Sequence, residues 1–392
     1  YLTDIVVRDP GPFYGLLAEG LLNKKTKESV LKKTILSGLS SFNSFEKKIA
    51  FLKNVKRRQT LKIALRDMLG YAALDETVET LSLLARVIAK HVFHFCFLQA
   101  AEKFGARQVR QDYTVIALGK LGGGELNYSS DIDLMVFYRK NKKTAGGLEY
   151  HEILTEAIRK FSAEMSHPDE NGFLYRVDFR LRPDGKAAPL CRTLNDTLRY
   201  YESRGEHWER QMLIKTGYIA GSQKMYNEFI SYISHYIYPG SAFTSPLEQI
   251  RRLRKNILKT NKSEFNIKLS SGGIRDIEFG VQALQLIYGG KTPMIRSGNT
   301  LGALRLLHNA NLLTDDEKTE LTLAYIFYRR IEHYLQGMND IQTHTIPESG
   351  EISDKLSAYL GFKTFSDFLA AVRSHKVLVK KFYSSVMLEE GE

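Results

Sequence analysis

Cysteine is nearly absent from this 392-residue sequence, which contains only Cys96 and Cys191. Two cysteines so far apart match no zinc-ligand spacing and cannot build a disulfide framework. We recognise no secretory leader and no apolar run approaching the ~20 residues of a membrane-spanning helix. The sequence therefore predicts a reduced, cytoplasmic protein that does not cross a membrane. The opening residue, Tyr1, is not methionine, which fits a fragment or trimmed numbering.

The sequence also lacks low-complexity tails and nucleic-acid reading motifs. Its formal net charge is +12, but the basic residues are spread through amphipathic segments such as 47–66 and 251–262. Such runs are typical of solvated helix faces, and neither a zinc-finger spacing nor an aromatic RNA-binding signature accompanies them. A basic surface also favours acidic proteins and phosphorylated ligands. Nucleic acid is therefore not an expected partner.

What the sequence does contain is a glycine-rich loop that leads into two aspartates. The loop runs from Gly119 through Gly122 to Gly124, and Asp131 and Asp133 open an apolar run. Alternate residues of a strand share a face, so the two aspartates are expected to point the same way. Mg²⁺ is usually held by one or two carboxylates together with phosphate oxygens, and glycines let main-chain amides approach a phosphate. An isolated Asp-x-Asp is more often a solvated strand entry.

A second alternating segment, Tyr-Arg-Val-Asp-Phe-Arg-Leu-Arg-Pro, supplies a third carboxylate. It predicts a strand with Asp178, Arg180 and Arg182 on one face and apolar residues on the other. Together with Asp131 and Asp133, Asp178 would suit two Mg²⁺ ions that clamp the attacking and leaving oxygens of a phosphoryl displacement. The two arginines would donate to phosphate oxygens, or would form a structural ion pair with Asp178.

Four further residues are candidates for contact with phosphate or nucleotide. Lys120 would act as a point charge or be a solvated loop lysine, and the Ser130 hydroxyl would bind phosphate or shape the turn. Arg275 and Glu278 share one face of a helix predicted to follow Gly273. They would serve the phosphate site or form an ordinary surface pair.

These segments together resemble a known family, the bifunctional glutamine synthetase adenylyltransferase/adenylyl-removing enzymes. The resemblance covers nearly the whole chain. It rests on Gly-Lys-Leu-Gly-Gly-Gly-Glu-Leu-Asn-Tyr-Ser-Ser-Asp-Ile-Asp-Leu at 119–134, Arg-Val-Asp-Phe-Arg-Leu-Arg-Pro at 176–183, Trp-Glu-Arg at 208–210 and Gly-Gly-Ile-Arg-Asp-Ile-Glu-Phe at 272–279.

The resemblance implies that this chain is one half of such an enzyme. The family has two homologous halves, and every motif occurs here once. Residues 56–70, 208–211 and 272–275 resemble the N-terminal, adenylyl-removing half more closely. That half would catalyse Mg²⁺-dependent phosphorolysis of adenylylated glutamine synthetase and release ADP. The resemblance implies Asp131, Asp133 and Asp178 as catalytic metal ligands, and the signalling protein PII as a further partner.

Two alternatives stay open from the residues. Both halves share the metal aspartates, so the chain could instead be an ATP-dependent adenylyltransferase acting on glutamine synthetase or another acceptor. A non-catalytic regulatory module that binds nucleotide or a partner is the third possibility, and the intact carboxylate triad argues against it.

The sequence predicts a helix-rich α+β fold in three parts. Residues 1–110 have helical periodicity, with an N-cap predicted at Asp75. Residues 111–240 change period, with strands near 113–118, 133–138 and 174–181 and a helix from Tyr150 to Glu164. Residues 241–392 return to a helical pattern. The resemblance implies a polymerase-β-like nucleotidyltransferase domain in the middle part, flanked by a helical N-terminal region and a C-terminal helical bundle.

Overall fold

A computed structural model describes most of the chain, namely residues 6–7, 10–18, 20–106, 109–143, 147–239, 246–261, 263–339 and 343–388. The chain divides into two compact units. We call residues 2–206 and 215–236 the sheet unit, and residues 207–214 and 237–392 the helical unit. The predicted boundaries near residues 110 and 240 stay a prediction. The N-terminal helices belong to the same unit as the sheet.

The helices and strands follow one another in this order along the described residues. The sheet unit begins with α1 Gly11–Ala18, α2 Glu28–Ser40, α3 Phe45–Met68, α4 Leu74–Lys103, β1 Tyr113–Leu118 and the short turn of helix α5 Gly119–Gly122. It continues with β2 Ile132–Tyr138, α6 Tyr150–Ser166, β3 Val177–Asp178, β4 Cys191–Thr193 and α7 Leu194–Ser203. Then come α8 His207–Leu213, β5 Gly217–Gly221 and α9 Gln223–Ile237. The remaining helices are α10 Pro246–Thr260, α11 Ile274–Tyr288, α12 Thr300–Asn309, α13 Asp315–Asn339, α14 Glu351–Tyr359 and α15 Phe365–Leu388.

Helix α4 is the central helix of the sheet unit. Its apolar side chains join those of β1, β2 and α6 in one continuous core. By length and composition α4 would be able to cross a membrane, contrary to the expectation that no such run exists, but 61% of its most apolar 18-residue stretch is buried in this core. The predicted N-cap was wrong: Ala73 is the N-cap, and Asp75 lies in the first helical turn. A negative charge in that turn interacts favourably with the helix dipole.

The sheet is small and mixed, with strand order β3-β2-β1-β5 and with β4 also paired to β2. Strand β1 is antiparallel to both β2 and β5. The opposite edge of β2 is shared by two short parallel strands: β3 pairs with its beginning, and β4 pairs with its end. All six residues of β1 are buried, which explains the uninterrupted apolar run in its sequence.

The predicted strand near 174–181 is much shorter than its alternating pattern indicated. Strand β3 ends at Asp178, and the chain turns immediately afterwards. Arg180 is exposed, whereas Arg182 is buried. The prediction that Asp178, Arg180 and Arg182 share one strand face is therefore wrong, because the strand geometry that would place them together stops at the first of the three.

Candidate functional site

The candidate site is centred on the glycine turn that follows β1. Gly119 has a φ of 56°, and a Cβ atom there would lie 2.8 Å from Oδ2 of Asp133. A Cβ atom on Gly122 would lie 2.0 Å from the main-chain oxygen of Lys215. Both positions therefore need glycine: the first lets the turn approach the Asp133 carboxylate, and the second lets it pack against the chain entering β5.

Side chains from α4 and from the segment before β5 hold this loop in place. Arg86 of α4 donates to the carbonyls of Leu121 and Gly122 at 2.8 and 3.2 Å. Lys215 and Glu125 form a buried ion pair at 2.7 Å. A buried ion pair of this kind keeps its two side chains in one arrangement, because separating them would leave a buried charge without a partner. Sequence reasoning did not single out these supporting residues, since their partners are distant along the chain.

The three predicted carboxylates lie at the edge where β2 meets β3. Asp133 of β2 is directly opposite Asp178 of β3 in the parallel register. Asp131 precedes β2 by one residue, and its Oδ1 accepts a 2.6 Å hydrogen bond from Nε of Arg176. Arg176 also donates to the Oγ of Ser129 at 3.1 Å. It thereby connects Asp131 to the loop, a role that the sequence analysis missed although Arg176 stands within the quoted motif.

Arg180 lies against the Asp178 carboxylate. Its Nε and Nη2 are 2.6 and 2.5 Å from Oδ2 of Asp178, and its main-chain N–H donates to Oδ1 of the same residue at 2.7 Å. The hydrogen bond and charge of Asp178 raise the pKa of Arg180, and Asp133 and Asp131 add to this effect. The guanidinium is therefore drawn to all three acids at once.

The pKa of Asp178 results from opposing influences. Partial burial, the largest, would raise it, but the hydrogen bonds and positive charge of Arg180, with a smaller contribution from Lys186, lower the pKa overall. Asp178 is consequently held as a carboxylate well below neutral pH. An ionised oxygen ligand is what a hard divalent cation requires.

The oxygens of Asp131, Asp133 and Asp178 are chemically suited to a cation, although the three side chains do not converge on one point as metal ligands do. Among the described residues, no group of three or more His, Cys, Asp or Glu side chains forms such a cluster. Asp131 and Asp178 are instead directed to Arg176 and Arg180. All the donors are carboxylate oxygens, and two of the three carboxylates already pair with guanidinium groups, so the arrangement is one that attracts positive charge.

Two predicted phosphate ligands make contacts within the sheet unit. Arg182 is buried and donates to four main-chain carbonyls of its own loop, at 2.7 Å from Phe179 and Ala188, 2.9 Å from Pro189 and 3.2 Å from Lys186. The Oγ of Ser130 accepts the N–H of Asn127 at 3.3 Å. Arg182 thus supports its loop and Ser130 the turn before β2, and contact of either residue with phosphate stays a prediction.

The other predicted residues are divided between the units. Lys120 is half-buried within the glycine turn of the sheet unit. Arg275 and Glu278 belong to α11 of the helical unit. Glu278 is buried, and the Arg275 guanidinium lies 5.5 Å from the centre of the Phe279 ring. An ordinary pair on a solvated helix surface, one of the two alternatives, is therefore not what α11 presents, and a role at the phosphate site stays a prediction.

A helix-rich α+β chain with a small mixed sheet is consistent with a nucleotidyltransferase. Comparison with family models identifies the family. The model described as Glutamate-ammonia ligase adenylyltransferase matches residues 1–231. The chain therefore belongs to the glutamate-ammonia ligase adenylyltransferase family. A second model, described as GlnD PII-uridylyltransferase, matches residues 246–387.

Curated relatives carry the name bifunctional glutamine synthetase adenylyltransferase/adenylyl-removing enzyme. The protein of Nitrosococcus oceani is 32% identical over 391 residues, which are 97% of this chain and 40% of the relative. That of Rhodopseudomonas palustris is 31% identical over 407 residues, covering 100% of this chain and 41% of the relative. That of Nitrosomonas europaea is 33% identical over 351 residues, or 86% and 38%. The chain thus spans about two fifths of the length of these relatives.

Proposed function

We propose that this chain is a deadenylylating nucleotidyltransferase that removes AMP from adenylylated glutamine synthetase by phosphorolysis, releasing ADP. The observation that carries the proposal is the in-register pair Asp133 and Asp178, with Asp131 beside it, under the glycine turn. We further propose that this sheet edge has the polymerase-β-like arrangement that the resemblance implies.

In this proposal the three carboxylates, Asp131, Asp133 and Asp178, hold Mg²⁺. When bound, Mg²⁺ would supply Lewis-acid stabilisation of the charge that develops on the phosphoryl and leaving oxygens. Arg176 is a positioning residue for Asp131, since its hydrogen bonds to Asp131 and Ser129 fix the carboxylate relative to the loop. The main-chain amides of the Gly119–Gly122 turn and the Lys120 ammonium would bind phosphate oxygens.

The reaction needs alignment more than a protein nucleophile. An oxygen of inorganic phosphate attacks the α-phosphorus of the adenylyl-tyrosine, and the bond between that phosphorus and the tyrosyl oxygen breaks. The tyrosyl oxygen leaves with the electron pair and takes up a proton, while the new P–O–P linkage makes ADP. Bringing the two phosphate groups together concentrates negative charge, which the basic side chains of the site must offset.

Arg180 has two proposed positions in this cycle. Without a divalent cation it neutralises the carboxylates, as its contacts with Asp178 favour. Its side chain is 63% exposed, so little packing opposes its departure when a metal ion arrives. Released from Asp178, its forked donors would suit the oxygens of the incoming phosphate.

The removing direction rests on residues 56–70, 208–211 and 272–275, which resemble the N-terminal half of the family. The names of the relatives include both activities, and the chain covers about two fifths of each. AMP transfer from ATP is therefore the alternative. We also propose a cytoplasmic location and, because residues 246–387 match a model named for a PII-uridylyltransferase, contact of the helical unit with PII.

Two parallel reactions test the proposal. One contains the purified chain, Mg²⁺, phosphate and adenylylated glutamine synthetase, with ADP release followed; the other contains ATP and unmodified synthetase, with AMP incorporation followed. We expect ADP in the first reaction only, and none when phosphate or Mg²⁺ is omitted. AMP incorporation in the second would reverse the direction, and no turnover in either would favour a regulatory module.

A further inference from the structure

Helix α10 carries a stripe of positive charge in the helical unit. Arg251, Lys255 and Lys259 follow one another at four-residue steps and are all exposed. This spacing places them on the same face of a helix, where like charges repel. The acidic residue of the helix, Glu248, lies in its first turn. The stripe therefore carries unfavourable charge density that a bound anion would relieve.

The stripe borders an open cavity of about 410 Å³. This volume falls in the range of ~300–1,000 Å³ that small-molecule sites occupy. The cavity lies between α10 and α15 and is lined by Arg251, Arg254, Lys255, Leu258, Lys259 and Tyr383. Four of these six residues are cations, so the lining selects for negative charge.

Two of the four cations are held in place by other contacts. Arg254 donates to both carboxylate oxygens of Asp276 at 2.7 Å and to Oγ of Ser271 at 3.0 Å, and its guanidinium lies 4.1 Å from the centre of the Tyr383 ring. Arg251 donates to the main-chain oxygen of Met387. Lys255 and Lys259 make no ion pair within the described ranges. This cavity, which we call the groove, thus combines two arginines that are held by contacts within the protein with two lysines that can contact a ligand.

Tyr383 adds a polar group that needs a partner. Its hydroxyl is buried and makes no hydrogen bond to any residue that the structure describes. Leaving a buried donor without a partner costs free energy. Burial raises the pKa of Tyr383 to about 12, against the lowering effect of Arg254, so the hydroxyl keeps its proton and remains a donor at neutral pH.

We propose that this groove binds a small polyphosphate anion, at a site separate from the carboxylates of the sheet unit. The first and last cations of the stripe are eight positions apart in α10, about 12 Å at the rise of an α-helix. A single orthophosphate contacts only neighbouring side chains over that length, whereas a chain of three phosphates reaches several. The ligand class is therefore a triphosphate, either inorganic or carried by a nucleoside.

Calorimetric titration of the purified chain with inorganic triphosphate, ATP and orthophosphate, in EDTA, tests the proposal. EDTA removes the divalent cations on which binding at the carboxylates depends. We expect triphosphate to bind at least about tenfold more tightly than orthophosphate. ATP binding as tightly as triphosphate would mean that the phosphates alone are recognised; tighter ATP binding would identify a nucleoside triphosphate as the ligand.

Variants separate the groove from general charge attraction. Lys255→Gln combined with Lys259→Gln should weaken triphosphate binding at least about tenfold. The control, Lys363→Gln combined with Arg373→Gln, removes the same charge from exposed residues of the helical unit that do not line the groove, and it should bind as the wild type does. Circular dichroism would verify that each variant is folded.

Two results would overturn the proposal: equal affinity in the wild type and the Lys255/Lys259 variant, or an equal loss in the control. Asp133→Asn should leave this binding unchanged, because Asp133 belongs to the sheet unit. Normal phosphorolysis in this variant, with intact triphosphate binding, would therefore count against the catalytic proposal alone.

Discussion

The two units use the same pairing of arginine with carboxylate in opposite environments. In the sheet unit, Arg180 is 63% exposed while it contacts Asp178. In the helical unit, Arg329 and Glu332 are 1% and 0% exposed, and His344 lies 2.9 Å from the same carboxylate. Solvent reaches the guanidinium of the first pair and can hydrate it in place of Asp178, whereas both partners of the second pair are shielded from water.

The difference separates pairs that can exchange partners from pairs that maintain the fold. An exposed arginine that pairs with a carboxylate can exchange its partner at small cost. A buried arginine whose carboxylate leaves would remain an uncompensated charge. An ion pair alone therefore does not identify a functional site. Its exposure to solvent determines whether its partners can be exchanged.

The largest effect expected in this comparison is on catalysis. Asp133→Asn should reduce phosphorolysis at least about 1,000-fold, because an amide cannot supply the negative charge that the metal site requires. The half-buried position at the sheet edge should leave the free energy of unfolding nearly unchanged. ADP release and urea unfolding measure the two quantities, and normal turnover in this variant would refute the metal assignment.

In the helical unit the expected effect is on stability. Glu332→Gln should lower the free energy of unfolding by about 3 kcal/mol, because it leaves the buried Arg329 without its counter-charge. Urea unfolding monitored by circular dichroism measures this. Glu351→Gln is the matched control, since Glu351 pairs with Lys355 at 2.6 Å on the surface; it should show no detectable change. Equal stability of both variants would contradict the contrast between the units.

Two arginines in the sheet unit sharpen the comparison. Arg182→Gln should destabilise the fold by about 2 kcal/mol, because several buried carbonyls lose their donor. Arg180→Gln should instead leave unfolding unchanged and tighten Mn²⁺ binding about threefold, since the competing cation is removed. Urea unfolding and metal titration distinguish the two. Weaker Mn²⁺ binding after Arg180→Gln would show that Arg180 supports the metal site.

The smallest expected effect is at an exposed ion pair of the sheet unit. Arg139 donates to both carboxylate oxygens of Glu228 at 2.9 and 2.7 Å, and this hydrogen bonding lowers the pKa of Glu228 below its ordinary 4.5. A lowered folded-state pKa stabilises the fold above the ordinary value, and the contribution is lost as the pH falls through the folded-state pKa.

Glu228→Gln should therefore cost about 0.5 kcal/mol at pH 7. The difference from the wild type should shrink as the pH falls below 4.5. Urea unfolding at pH 7 and pH 3 measures it. A difference that persists unchanged at the lower pH would mean that packing of the side chain, not its charge, stabilises the pair.

Local patterns predicted several elements correctly. The apolar run at 113–118 is β1, the periodic stretch from Tyr150 is α6, and the segment after Gly273 is α11. Each of these elements buries one continuous face or a whole strand, so its sequence reports its environment directly. The N-cap of α4 is Ala73 and not Asp75, because an acidic residue is favourable at the N-cap and in the first turn alike. The length of β3 was overestimated because the alternating pattern continues beyond Asp178, where the strand ends.

The sequence by itself determined the kind of chemistry available: a glycine turn, three aspartates and nearby arginines within short, recognisable segments. Family membership also follows from sequence comparison. Only the tertiary structure decided how these residues are used. Arg180 and Arg182 are two positions apart and chemically identical, yet one is exposed beside carboxylates and the other is enclosed by carbonyls. The spacing of two residues along the chain does not show which distant residues will bury each side chain. Burial decides the role of the charge: an exposed charge can exchange partners, whereas a buried one is part of the structure.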